Sequence, residues 1–189
     1  MSTESTLKKI EKTLTKITER QDEICERLAG LEAAEQSRPG ALAAKTIGFL
    51  DQFRAGEALG EASLGAWIEA CRDPGLKGAL RTVQQREGMH AVLLAQRIKE
   101  LGGSPKAEVP EAVFDAAMQQ SANREKSDAE KVSAFIARFS DIDEALRPIA
   151  EMADQLDGDP ETQGLLRTIC QDERSTLECL TAECARLNG

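Results

Sequence analysis

Apolar residues near the start of the chain fall at Leu7, Ile10, Leu14, Ile17, Ile24, Leu28 and Leu31. The steps alternate three and four once Gln21 is counted as a polar interruption. This heptad puts Leu7, Leu14, Gln21 and Leu28 at a and Ile10, Ile17, Ile24 and Leu31 at d. The intervening positions are mostly Lys, Glu, Thr, Arg and Asp, so one narrow apolar seam lies on a charged helix. Such a seam needs a partner helix. Residues 1–36 are therefore expected to form a coiled-coil helix that makes the chain a homo-oligomer. Leu at a with Ile at d favours more than two parallel strands. The Lys8, Lys9, Lys12, Lys16 cluster and the Glu19, Asp22, Glu23, Glu26 cluster would instead match in an antiparallel pair. Strand number and orientation stay open. Pro39-Gly40 is a turn signal, and residues 37–41 read as a linker.

Residues 42–189 contain one pattern twice, offset by 86 positions. Phe49 and Phe53 reappear as Phe135 and Phe139, and Asp73-Pro74 as Asp159-Pro160. Leu80-Arg81-Thr82 reappears as Leu166-Arg167-Thr168, and Glu87 as Glu173. Each copy predicts two long helices joined near the Asp-Pro pair, where proline suits the first helical turn. They are A (about 42–72), B (76–102), C (127–157) and D (160–188), with a long connection over 103–127 that carries a short apolar-periodic piece at Val113–Met118. Two such hairpins bury their stripes most simply as an all-α, up-down four-helix bundle. Pro148 is expected to kink or break helix C.

Every helix carries a polar interruption in its core seam. Glu87 and His90 lie between Val83 and Leu94 on B, and Glu173 and Thr176 between Ile169 and Leu180 on D. Glu57 lies between Phe53 and Leu64 on A, and Asp143 between Phe139 and Leu146 on C. Four carboxylates and an imidazole at one interior level require protonation or a counter-cation, and no Lys or Arg occupies these seam positions. A metal is the economical counter-charge. Glu57 and Asp143 would be terminal ligands, Glu87 and Glu173 bridging ligands, and His90 a nitrogen ligand. Glu61, Glu144 and Thr176 stand second in line. Carboxylates with one imidazole suit iron, with manganese as the alternative, one or two ions in number.

Composition sharpens this picture. Aromatic residues make up 3% of the 189 residues, there is no Tyr, and Ala, Leu, Glu, Lys and Arg abound, which favours helices over strands. A net charge of −9 argues against nucleic acid as a partner. The single His excludes a three-His zinc centre. No apolar run approaches the roughly 20 residues of a membrane span, and the polar start lacks a secretory signal. Five cysteines without a Cys-x-x-Cys pair fit a reducing, cytoplasmic setting.

Over residues 42–189 the sequence resembles the ferritin-like superfamily of di-iron carboxylate proteins, of the rubrerythrin and bacterioferritin type. The resemblance rests on REGMH (Arg86 to His90), RAGEALGEAS (Arg54 to Ser63) and QDERST (Gln171 to Thr176). It implies a bundle in which two helices each supply a Glu and the other two each supply Glu-x-x-His. It also implies a non-haem iron site, with ferroxidase or peroxide- and oxygen-reacting activity. The chain departs from that pattern at Thr176, which stands where the second imidazole would be, and at Asp143, which is shorter than Glu. It has neither a Cys-rich rubredoxin-like segment nor a Tyr for a radical. The alternative expectation is a non-catalytic ferritin-like oligomeric scaffold or adaptor with a degenerate metal site.

Overall fold

The computed structural model describes residues 39–139 and 141–189. The coiled-coil helix expected over residues 1–36 lies outside them. All regular structure among the described residues is helical: α1 (Pro39–Ala70), α2 (Pro74–Glu100), α3 (Glu111–Ala122), α4 (Asp128–Ile136), a 3₁₀ turn (Ala137–Phe139), α5 (Ile142–Asp154) and α6 (Pro160–Asn188). No helix among them is long and apolar enough to cross a membrane. The compact unit that carries the candidate site is Thr46–Gly189.

The start signals in the sequence act as local chemistry requires. Asp73 and Asp159 are N-caps whose carboxylates accept the N–H of Leu76 (2.8 Å) and Thr162 (3.1 Å), with proline next in line. Each cap is also held from the far end of the other helix. Arg186 near the end of α6 donates to Asp73, and Arg97 near the end of α2 donates to Asp159 at 2.8 Å. The two helices therefore run antiparallel with crossed latches. Pro39 and Gly40, a turn signal in the sequence, lie in the first turn of α1, so the helix begins inside the expected linker.

Helix C is not one helix over 127–157. Ser127 and Glu130 form a capping box that starts α4, and Asp141 caps a second start by accepting the N–H of Glu144 at 3.0 Å. The chain therefore breaks at 137–141 and not at Pro148, which sits on the exposed side within α5. The restart changes which residues face inward. Leu146, expected in the seam, is buried along with Ile149, Met152 and Ala153, whereas Asp143, also expected there, is exposed.

Two apolar clusters form the core. Leu50, Leu94, Ile98, Ile149, Leu166 and Ile169 are in one. Leu64, Trp67, Leu76, Leu80, Val132 and Leu180 are in the other. Full burial of such a side chain contributes about 1.5–3 kcal/mol. Along α1, α2 and α6 the residues between these clusters are the polar ones of the seams. Helices α1 and α2 approach closely because glycines take the facing side chains: a Cβ at Gly65 would stand 2.9 Å from Gln84 Nε2, and one at Gly88 would stand 2.8 Å from the Glu61 carboxylate. Asp51 secures the connection after α2. Its carboxylate accepts the N–H groups of Lys106 (2.8 Å) and Ala107 (2.7 Å), while Arg54 donates to Ala107 O.

Candidate metal centre

Three helices bring one polar residue or more to the same interior level. His90, 3% exposed, is the hub. Its Nδ1 lies 3.0 Å from Glu57 Oε2 of α1 and 3.4 Å from Glu173 Oε1 of α6. Its Nε2 lies 3.2 Å from Asp172 Oδ2, also of α6. One ligand atom from each of Glu57, His90 and Glu173 falls within 4.8 Å of the others, a spacing that suits a common ion.

Local sequence explains the convergence. Glu87 and His90 are one turn apart on α2, so they share a face. Glu57 faces them because Gly60, one turn on, leaves space: a Cβ there would stand 3.0 Å from Glu87 Cδ and closer still to Oε2. Asp172 and Glu173 are adjacent on α6 and meet the imidazole from different directions. With Nε2 facing Asp172, Nδ1 is turned toward Glu57 and Glu173, and the outer carboxylate orients the ring as a metal-ligating histidine requires.

The layer's protonation follows from burial and crowding. Burial first, then the Glu57 and Glu173 carboxylates, push Glu87 up to about 9, and Glu87 hydrogen-bonds Glu57. Burial also raises Glu57, with the Glu173 charge adding to it and His90 opposing it. For His90 burial alone would favour the neutral ring. Hydrogen bonds to Glu173, Glu57 and Asp172, with the Glu57 charge, outweigh it and raise the imidazole to about 10. At neutral pH the layer thus holds protons on Glu87 and His90 in place of a lysine or arginine on the seam.

Comparison with family models, with curated proteins and with solved structures gives no match. The geometry stands alone.

Of the residues expected to bind metal, the structure brings Glu57, His90 and Glu173 together, with Glu87 beside them. It does not bring Asp143, whose carboxylate is 83% exposed and pairs with Arg174 at 2.5 Å. The Asp141 cap rotates that turn outward. Glu144 is also exposed and pairs with Arg147, and Glu61 lies against Gly88 on the other side of the α1–α2 contact. Thr176 is buried, and its hydroxyl accepts from Arg86 Nη1 at 3.4 Å. Asp172 and Arg86 were missed by the seam pattern because each lies one position off it, beside Glu173 and Glu87.

Two observations bear on whether a cation fits. Glu173 Oε1 is buried and meets only the long 3.4 Å contact from His90 Nδ1, a nitrogen already turned to Glu57, so this acceptor lacks a well-formed hydrogen bond. The donor set of three carboxylates and one imidazole is that of a hard to borderline cation. The layer also borders a cavity of about 510 Å³, lined by Glu57, Glu87, Glu173 and Thr176 and, across it, by Arg138, Phe139 and Ala145 flanking the break between α4 and α5.

Proposed function

We propose that this chain is a non-haem iron-binding protein of the ferritin-like kind, with Glu57, His90 and Glu173 as ligands and Glu87 completing the set. The observation that carries the reading is the convergence of three ligand atoms from three helices in one buried layer. Residues 42–189 would form the four-helix, internally duplicated unit, and residues 1–36 would assemble it into a homo-oligomer. The outward Asp143 and the hydroxyl of Thr176 favour one ion per chain over two. Manganese is the alternative ion, since it accepts the same donors.

A bound iron would supply a one-electron redox couple able to react with oxygen or peroxide. The residues of the chain have distinct tasks around it. Asp172 holds the His90 ring by Nε2, so Nδ1 faces Glu57 and Glu173, and an ion bound there would displace the Nδ1 proton. Glu87 stores a proton that it surrenders when a cation takes its place, and the two apolar clusters limit water. The cavity gives a small oxidant access to the layer from the side where Asp143 is missing.

The test is anaerobic titration of the full chain with Fe(II), and separately with Mn(II). A ligand that binds only the folded state must stabilise it, by about 2.7 kcal/mol at a hundredfold excess over Kd. One ion bound per chain with a raised melting temperature is expected, and His90→Ala should bind none. Wild-type protein that binds no ion and melts unchanged would refute the reading. A second reading, a ferritin-like oligomeric scaffold or adaptor without chemistry, draws on the fact that both nitrogens of His90 already have carboxylate partners. That refuting outcome would favour it.

A further inference from the structure

The cavity beside the polar layer has a second end with a different chemistry. It follows α1 from Phe53 to Trp67, fifteen residues whose fourteen rises span about 21 Å of helix. Its walls over that length are mainly apolar, including Leu64, Phe135, Leu146 and Ile149. At the Trp67 end two polar groups are buried in the lining. Lys131 is 7% exposed, and Trp67 is 5% exposed.

Among the described residues, neither is paired with a carboxylate. The Trp67 indole Nε1–H has no hydrogen-bond acceptor. The Lys131 ammonium donates to the carbonyls of Ser121 (2.5 Å) and Asn123 (3.3 Å) and sits 5.3 Å from the Trp67 ring centre. Among the described residues it makes no ion pair with a carboxylate. Asp128, the acidic group that influences it, is engaged by the backbone N–H groups of Arg72 and Asp73. A buried cation held by two carbonyl dipoles and the face of an indole, with no carboxylate in ion-pair contact and an unanswered N–H donor beside it, favours an anion. The lowered pKa of Lys131, caused first by burial, agrees with that cost.

We infer that this cavity binds an elongated apolar carboxylate, its head group taken by Lys131 and Trp67 and its chain laid along α1 toward Phe53. Lys126 and Arg138 also line the cavity. A carboxylate is favoured over a phosphate because the walls are mainly apolar and a dianion costs more to take out of water. An alcohol of the same chain would leave Lys131 unpaired. A cationic amphiphile would face it with like charge. This site does not rest on the metal reading, although the middle of the bound chain would pass Glu57 and Glu173.

Trp67 is the only Trp and there is no Tyr, so intrinsic fluorescence reports on this end of the cavity alone. The full chain, freed of metal with a chelator, is titrated with decanoate, decanol and decyltrimethylammonium. Decanoate should give a saturable change in Trp67 emission, with decanol and the cation at least about tenfold weaker, the value of a charge-assisted hydrogen bond. Lys131→Gln should weaken decanoate binding at least about tenfold and Lys131→Arg should retain it. Equal binding of decanoate and decanol to wild-type protein, or no effect of decanoate, overturns the inference even if the Lys131 variants fail to fold. A positive result in chelator stands regardless of the outcome with Fe(II).

Discussion

Glu87→Gln offers the most direct test of how the interior layer is balanced. The amide matches the carboxyl in shape and keeps a donor for Glu57, and the notch over Gly60 accommodates it equally. What it removes is a titration. Glu87 holds its proton up to about 9 in the folded chain against an ordinary value of 4.5. Between those values the folded state binds the extra proton, so wild-type stability falls as pH rises, by about 1.4 kcal/mol per pH unit. From pH 5.5 to 8.5 this loss is about 4 kcal/mol from Glu87 alone. His90, whose folded value near 10 exceeds its ordinary 6.5, adds a loss in the same direction above pH 6.5 in both proteins. Urea unfolding of metal-free wild-type and Glu87→Gln chains at the two pH values isolates the difference. The variant should gain about 4 kcal/mol on wild type between pH 5.5 and 8.5. Parallel pH dependences would show that Glu87 is ionised in the folded chain, and would refute the protonated layer.

Other substitutions probe the remaining contacts. His90→Ala removes the cation between Glu57, Asp172 and Glu173, and should cost about 3–5 kcal/mol in denaturant unfolding; a cost below about 1 kcal/mol would mean that the carboxylates do not depend on it. Gly60→Ala drives a Cβ into the Glu87 carboxyl and should cost about 1–3 kcal/mol, with a matching loss of Fe(II) affinity that calorimetry would detect. Asp143→Asn touches only the exposed pair with Arg174 and should change stability by less than about 1 kcal/mol; loss of metal binding in this variant would return Asp143 to the site. Deleting residues 1–36 should reduce the solution mass measured by light scattering to that of a single chain, and an unchanged assembly would locate the association in the remainder.

The seams of α1, α2 and α6 were legible because long, uninterrupted helices keep phase. Counting threes and fours from Leu80 reaches His90 and Leu94 correctly, and the same count reaches Glu57 from Leu50 and Glu173 from Leu166. The fourth seam failed because phase was lost. Counting forward from Phe139 assumes one helix, yet Asp141 restarts the chain with a new cap; Leu146 still faces inward as expected, but Asp143 is carried out. The capping signal is there as Asp141 three residues before Glu144, whereas Pro148, the stronger breaker by residue type, is accommodated within α5. Asp172 and Lys131 were illegible for another reason. One lies beside the seam and the other is a lysine, and each is engaged by a residue distant in sequence, Asp172 by His90 and Lys131 by Trp67.

The crossed latches between α2 and α6 bear on the order in which the chain completes itself. Asp73 caps α2 locally at Leu76, but the carboxylate is latched by a contact 113 residues away in sequence, at Arg186. Asp159 takes Arg97 from a helix made 62 residues earlier. In a chain made from its N-terminus, α6 therefore meets a ready partner as it starts, while α2 waits for the last turn of α6 before its own start is fastened. Synthesis halted anywhere before that turn leaves the first hairpin open at the Asp73 end, beside the apolar cluster that contains Leu76 and Trp67.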